Sequence, residues 1–196
     1  MARVAVLLTQ GFADWEYGVL CGLGQGYFGL EIRYVAPEPG VVTSMGGLVA
    51  RVQDGCEALA SWNPEALVVI GGTIWEQPNA PELSAWLQDL HARGTVIAGI
   101  CGGTLALARA GLLNARRHTS NDPAFLGTNA DSYAGAARYV DQATAVSDGG
   151  VITAAGTAPV SFAAEIMTAV DIPLETVHQL KSMLGAEHKA GPVSVS

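Results

Sequence analysis

A cysteine set between glycines is the part of this sequence best suited to chemistry. In Gly99-Ile100-Cys101-Gly102-Gly103, the cysteine follows an apolar run and precedes an alanine- and leucine-rich helical pattern. This order predicts a nucleophile elbow, a sharp strand-to-helix turn, with sulfur in place of the usual serine oxygen. The thiol would lie at the N-terminus of the helix, where partial positive charge favours a thiolate. The alternative for Cys101 is a buried structural cysteine, which is also how we interpret Cys21 and Cys56.

Glu16 is the first titratable side chain expected near this thiol. It falls in the first turn of the helix predicted after the first strand, and from there it can turn in over Cys101. A carboxyl group that keeps its proton can donate a hydrogen bond to sulfur. The pKa of the thiol would then fall and the pKa of the carboxyl would rise. The alternative is an ordinary first-turn acid favoured by the helix dipole, with Asp14 as the cap of the same helix.

His118 is the second such side chain. It lies 17 residues after Cys101, and the helix between them leads away from the sheet edge before the chain returns. The returning stretch His118-Thr119-Ser120-Asn121 is therefore expected beside the thiol, where an imidazole can act as general base or acid. The alternative is a surface histidine that follows two arginines.

Backbone N–H groups are expected to complete the site as an oxyanion hole. Gly102 follows the nucleophile and supplies one donor in the elbow geometry. Gly72, at the end of a neighbouring strand, is the candidate for the other. Such a donor typically contributes ~3 kcal/mol to transition-state stabilisation.

Composition limits the class of protein. The 196 residues suit one domain, residues 1–196, with a core over about 3–185 and a loosely packed tail over 189–196. The net charge of −8 argues against nucleic-acid and anionic-membrane partners, and no apolar run approaches the ~20 residues of a membrane span. Three cysteines without metal-binding spacing predict no metal site, a free thiol and a cytoplasmic location.

Strands alternate with helices along most of the chain, which predicts one α/β sandwich with a largely parallel sheet. In such sheets the site lies at the carboxyl ends of the strands. Three glycine-marked strand ends should therefore converge, at Gln10-Gly11, Gly71-Gly72 and 99–103. Asp54-Gly55 is expected as a turn, and 138–140 and 143–146 as short strands.

The chain from Val4 to about Val170 resembles the ThiJ/PfpI family of the class I glutamine amidotransferase-like superfamily. The elbow, Gly71-Gly72, Glu16 and His118 carry the resemblance, together with stretches 112–119 and 153–159. It implies a flavodoxin-like three-layer sandwich, a homodimer, and a reactive cysteine, here Cys101, hydrogen-bonded to a protonated Glu16. No cofactor is expected.

Departures from the family pattern narrow the expected activity. Peptidase members have histidine directly after the cysteine, where this chain has Gly102, so peptidase activity is not expected. Their acid follows the Gly-Gly pair by four residues, a spacing that Glu76 matches, and its role here as a supporting or cross-dimer acid is open. Glutamine amidotransferases need a His-x-Glu pair near the C-terminus, which Glu187-His188 does not provide.

Two functions fit these residues. In the first, a cofactor-independent enzyme acts on small reactive carbonyls, in the manner of glyoxalases and deglycases. Cys101 attacks, Glu16 holds the thiolate and moves a proton, His118 assists, and Gly72 and Gly102 hold the oxyanion. In the second, the same reactive cysteine serves a non-enzymatic oxidative-stress sensor or a chaperone-like protein.

Overall fold

The computed structural model describes residues 1–186. The strands are β1 (Ala2–Leu7), β2 (Leu30–Ala36), β3 (Gly40–Thr43), β4 (Val49–Val52), β5 (Asp54–Gly55), β6 (Ala66–Val69), β7 (Val96–Ile100), β8 (Val146–Asp148) and β9 (Val151–Ala154). The helices are α1 (Asp14–Gly18), α2 (Gly24–Tyr27), α3 (Leu59–Trp62), α4 (Ser84–Ala92), α5 (Gly103–Arg109), α6 (Phe125–Asn129), α7 (Pro159–Ala169) and α8 (Leu174–Leu184). A π-helical turn, Val19–Leu23, joins α1 to α2.

Seven of the strands form one sheet in the order β5-β2-β1-β6-β7-β9-β8. Every neighbouring pair is parallel except β8 and β9. The remaining two strands, β3 and β4, form an antiparallel hairpin. The predicted α/β class with a largely parallel sheet is confirmed.

Both faces of the sheet are buried, which gives the sandwich three layers. Along β1, Val4 and Val6 pack into one hydrophobic cluster with residues of α7 and α8, whereas Ala5 and Leu7 pack into another with residues of α4 and α5. All four residues of β6 are buried. Continuous apolar strands such as β6 are typical of a parallel sheet covered on both sides.

Three local expectations are wrong. Asp54-Gly55 forms the edge strand β5 beside β2, because the chain stays extended there and pairs with Val35 and Ala36. Residues 136–138 form a 3-10 turn instead of leading into a strand, and the strand that follows begins only at Val146. Asp14 does not cap α1, since its Oδ2 accepts a hydrogen bond from the Gly46 N–H of the hairpin, 2.8 Å away.

The predicted loose tail, residues 189–196, lies outside the described residues. None of the helices within residues 1–186 combines the length and the apolar character that crossing a membrane requires.

Candidate active site

Four neighbouring parallel strands, β1, β6, β7 and β9, end at the same edge of the sheet. Gly71 and Gly72 lie just beyond β6, Cys101 directly follows β7, and Gly156 lies just beyond β9. The helix that follows β1 carries Glu16 to the same edge. The expected convergence of strand ends is therefore present, with β9 as a fourth contributor.

Cys101 occupies the sharp turn predicted for the elbow. Its φ of 55° lies in the left-handed region, which side-chain-bearing residues rarely adopt. The Cys101 N–H donates to the Ala154 carbonyl at 2.9 Å, and the Thr104 hydroxyl donates to the Cys101 carbonyl at 2.6 Å. At Gly103 a Cβ would collide with the Val69 carbonyl oxygen. These contacts hold the turn in place and explain why glycine follows the cysteine.

Glu16 lies beside Cys101 and is almost fully buried, with 1% of its surface exposed. Its Oε2 accepts a hydrogen bond of 2.7 Å from the Gly71 N–H. Its Oε1 is buried without a hydrogen-bond partner among the described residues and lies on the side of the thiol. A Cβ added to Gly156 would lie 3.0 Å from Cys101 Sγ and 3.2 Å from Glu16 Oε1. The structure therefore brings these two predicted residues together, Glu16 buried and Cys101 partly exposed.

Burial sets the electrostatics of this pair. It raises the pKa of Glu16 to about 7, against the opposing hydrogen bonds from Gly71 and Cys101. It also raises the pKa of Cys101, and the charge of an ionised Glu16 adds to this rise, while donors on Asn121 and Gly102 oppose it. The direction for Glu16 agrees with the expectation from sequence. The direction for Cys101 is opposite, because burial disfavours the charged thiolate and the charge of an ionised Glu16 disfavours it further.

Asn121 contacts the sulfur and is the residue that sequence reasoning missed. Its Nδ2 lies 3.4 Å from Cys101 Sγ, and its Oδ1 accepts a hydrogen bond of 3.1 Å from the Gly156 N–H. The stretch 118–121 was expected beside the thiol, with His118 as the functional residue. The stretch does reach the thiol, but the side chain at the sulfur is that of Asn121, three positions after His118. A single asparagine in a polar stretch carries no distinctive sequence signal.

Trp15 forms one wall of the site. Its indole N–H donates to the Gly156 carbonyl at 2.8 Å, while 51% of the residue remains exposed. Together with Cys101, Asn121 and Pro159, it lines an open cleft of about 600 Å³. The cleft gives a solution molecule access to the sulfur.

A second, smaller cavity of about 130 Å³ is also lined by Cys101, together with both glycines predicted for the oxyanion hole. The Gly102 N–H faces the sulfur, and the Gly72 N–H has no acceptor among residues 1–186. A Cβ at Gly102 would lie 2.8 Å from the Gly72 carbonyl oxygen and 3.3 Å from the Gly72 nitrogen. Two backbone donors thus adjoin a space large enough for a few heavy atoms.

Glu76 lies at the rim of this small cavity. It ends the 3-10 turn Thr73–Glu76, its side chain is exposed, and it lines both the small cavity and a polar cleft of about 540 Å³. Glu76 therefore reaches the site from its own chain, and a role across a dimer stays a prediction.

His118 is not brought to the thiol. It is fully buried, with Nδ1 2.8 Å from the Arg116 carbonyl and Nε2 2.7 Å from the Tyr133 hydroxyl. Tyr133 and Tyr139 pack edge-on against the imidazole ring. Both ring nitrogens are occupied, so the histidine has no free nitrogen for proton transfer with Cys101. Its position indicates a structural role.

Replacing His118 by alanine should therefore affect folding rather than chemistry. The cavity and the unpaired Tyr133 hydroxyl should lower the free energy of unfolding by about 2–4 kcal/mol, as measured by urea denaturation. The pH midpoint of Cys101 alkylation should stay at the wild-type value. If the midpoint of Cys101 alkylation shifted in both His118→Ala and the more conservative His118→Gln, His118 would again be assigned a role in proton transfer.

Comparison with known proteins agrees with this architecture. A model of the DJ-1/PfpI family matches residues 2–169. The chain is 32% identical over 177 residues to a Bacillus subtilis protein named uncharacterized protease YoaZ, covering 87% of this chain and 84% of the relative.

Solved structures are similar over almost the whole chain. The DJ-1 superfamily protein Atu0886 from Agrobacterium tumefaciens superposes with a TM-score of 0.89 at 41% identity, covering 96% of this chain and 100% of that one. A thiJ/pfpI family protein from Bacillus anthracis gives 0.83 at 28% identity, covering 94% and 91%. The resemblance noted from sequence is confirmed, and the chain belongs to the DJ-1/PfpI family.

Proposed function

We propose that this protein is a cofactor-independent enzyme in which the Cys101 thiolate attacks small reactive carbonyl compounds such as 2-oxoaldehydes. The observation that supports this most directly is the position of the buried Glu16 carboxyl beside Cys101, with two backbone N–H groups adjoining the same small cavity. A nucleophile, a proton source and an oxyanion hole are the groups that addition to a carbonyl needs.

The proton of the pair is assigned to Glu16. An ionised Glu16 would leave the buried Oε1 without a donor, which is costly for a charged group. A protonated Oε1 instead donates to sulfur, while Oε2 keeps its bond from the Gly71 N–H. Asn121 and Gly102 also donate toward the sulfur and lower the pKa of the thiol. With the proton on Glu16, all three donors favour the thiolate. Protonation of Glu16 also removes the charge that otherwise raises the thiol pKa.

The first step follows from this arrangement. The thiolate forms a C–S bond to the carbonyl carbon, and the π electrons move to the oxygen, where the N–H groups of Gly72 and Gly102 stabilise the negative charge. Glu16 transfers its proton to that oxygen, which gives a neutral hemithioacetal. The carboxylate that remains is the base for the next proton transfer.

Peptide hydrolysis fits the site less well, although YoaZ carries the name of a protease. A peptide bond needs a group that protonates the leaving amine, usually histidine. Within residues 1–186, no histidine lines either cavity at Cys101. Addition to an aldehyde expels no amine, and Glu16 is sufficient for its proton transfer.

Turnover of methylglyoxal in three proteins tests the proposal. Wild type and Cys56→Ala should consume the aldehyde at similar rates, because Cys56 lines neither cavity. Cys101→Ala should lose the activity. Equal rates in wild type and Cys101→Ala would refute the proposed function.

The cysteine environments also favour a second function, oxidative-stress sensing. Burial raises the pKa of Cys21 and of Cys56 to about 12 and that of Cys101 to about 11, and of the three cysteines Cys101 is the one that lines the large cleft. Oxidation follows thiolate character and exposure, so mild peroxide should modify Cys101 alone. Single-site oxidation, measured by mass spectrometry, without turnover of any carbonyl would favour the sensor over the enzyme.

We also propose that the chain forms a homodimer, as the family resemblance implies. The β3–β4 hairpin exposes Val41, Leu48 and Val49, and its turn exposes Met45, which lines the small cavity at Cys101. Exposed apolar clusters of this kind mark association surfaces. Analytical ultracentrifugation measures the oligomeric state directly.

A further inference from the structure

We propose that Asn121 is a catalytic residue of this site, whose carboxamide donates a hydrogen bond to the Cys101 sulfur and sets the reactivity of the thiol. The inference rests on the proposed function, in which Cys101 is the nucleophile. It adds a donor from a third segment of the chain, after Glu16 on α1 and the backbone of the elbow.

The orientation of the carboxamide is fixed by its other contact. The Gly156 N–H lies 3.1 Å from Oδ1, and an N–H group can only donate. The atom facing it must therefore be the carbonyl oxygen, and the amide nitrogen must face the sulfur at 3.4 Å. Gly156 is itself held by the Trp15 indole, which donates to its carbonyl. The amide is thus locked with its N–H toward Cys101.

The segment that carries Asn121 is anchored to the elbow. The preceding residue, Ser120, is buried, and its hydroxyl lies 2.7 Å from the Thr104 hydroxyl, which itself donates to the Cys101 carbonyl. The Tyr139 hydroxyl accepts from the Ser120 N–H at 3.3 Å. The Ser120–Thr104 contact therefore ties the segment that carries Asn121 to the Cys101 backbone, and Tyr139 supports the same segment.

Few titratable groups lie close enough to this sulfur to affect its pKa. Glu16 approaches from α1, and Glu76 lies at the rim of the small cavity. The loop after β9 contributes Gly156 and Thr157 to the cleft, neither of which titrates at moderate pH. The imidazole of His118 faces Arg116 and Tyr133 instead. An effect of Asn121 on the thiol can therefore be separated from that of Glu16.

A hydrogen-bond donor to the thiolate has two opposite effects on the reaction rate of the cysteine. It increases the fraction of thiolate at neutral pH, and it makes each thiolate less nucleophilic, with a Brønsted coefficient of about 0.4–0.5 in disulfide exchange. Removing the donor should therefore slow the reaction on the acid side of the titration and speed it on the alkaline plateau. A displaced or partly unfolded thiol would not give such crossed profiles.

The test is the rate of Cys101 with a small neutral disulfide, 2,2′-dithiodipyridine, followed against pH on the Cys101 peptide by mass spectrometry. In Asn121→Leu the midpoint should rise by about one pH unit. The rate should fall ~3-fold on the acid side and rise ~3-fold on the plateau. In Asn121→Asp, which keeps an acceptor for Gly156 but turns a negative oxygen toward sulfur, the midpoint should rise further.

Glu16→Leu, measured in parallel, separates this inference from the proposed function. If Glu16→Leu moves the midpoint and Asn121→Leu does not, the Asn121 proposal is overturned while the Cys101–Glu16 pair stands. If Asn121→Leu slows the reaction equally at all pH values while Asn121→Asp behaves as wild type, Asn121 only supports the Gly156 loop, and the proposal is again overturned. If Cys101→Ala retains aldehyde turnover, the proposed function fails whatever the Asn121 profiles show.

Discussion

Replacement of Glu16 by leucine is expected to raise the pKa of the Cys101 thiol by about one to two pH units and to slow its alkylation at neutral pH. The reason is the loss of a buried donor to a charged sulfur. Hydrogen bonds to charged groups contribute about 1.5–3 kcal/mol, and one pKa unit corresponds to 1.36 kcal/mol. The alkylation rate of the Cys101 peptide against pH measures the midpoint.

Glu16→Gln is the matched control, because its amide N–H can donate to sulfur while its oxygen accepts from the Gly71 N–H. Its midpoint should stay well below that of Glu16→Leu. If instead Glu16 is ionised and the thiol neutral, both variants remove the same negative charge. Both would then lower the thiol pKa and speed the reaction, which would contradict the assignment of the proton to Glu16.

The second large effect is expected from Gly71→Ala. A Cβ at this position would lie 2.6 Å from Glu16 Oε2 and 2.7 Å from Cys101 Cβ, so the two side chains must move apart. Misplacement of reacting groups by about 1 Å lowers turnover on the order of 10²-fold. Overpacking should also lower the free energy of unfolding by about 1–3 kcal/mol. Methylglyoxal turnover and urea denaturation measure the two effects.

Gly26→Ala is the control for this prediction. Gly26 lies on α2, and a Cβ there meets nothing within 4 Å. This variant should keep wild-type turnover and gain or hold stability, since alanine is the better helix former. Wild-type turnover in Gly71→Ala would show that the pair tolerates separation and that its close contact is not needed for the reaction.

Local chemistry explains why much of the fold was predictable. The apolar runs of β1, β6 and β7 are buried on both faces of a parallel sheet, and each is followed by glycine, so strand positions and the shared edge follow from pattern alone. Asp54-Gly55 is different. Its turn-forming residues gave no sign of pairing, and only the proximity of β2 makes them a strand.

The sequence by itself determined the elbow at Cys101 and the position of Glu16 in the first turn of α1, because both are local features. The tertiary structure decided that Glu16 lies beside Cys101, because the two residues are far apart in the chain. The tertiary structure decided which residue of 118–121 reaches the sulfur. His118 turns into an aromatic pocket and Asn121 faces the thiol, since the return path is set by packing against α5 and β9. Burial, which no spacing reveals, raises the pKa of Glu16 to about 7.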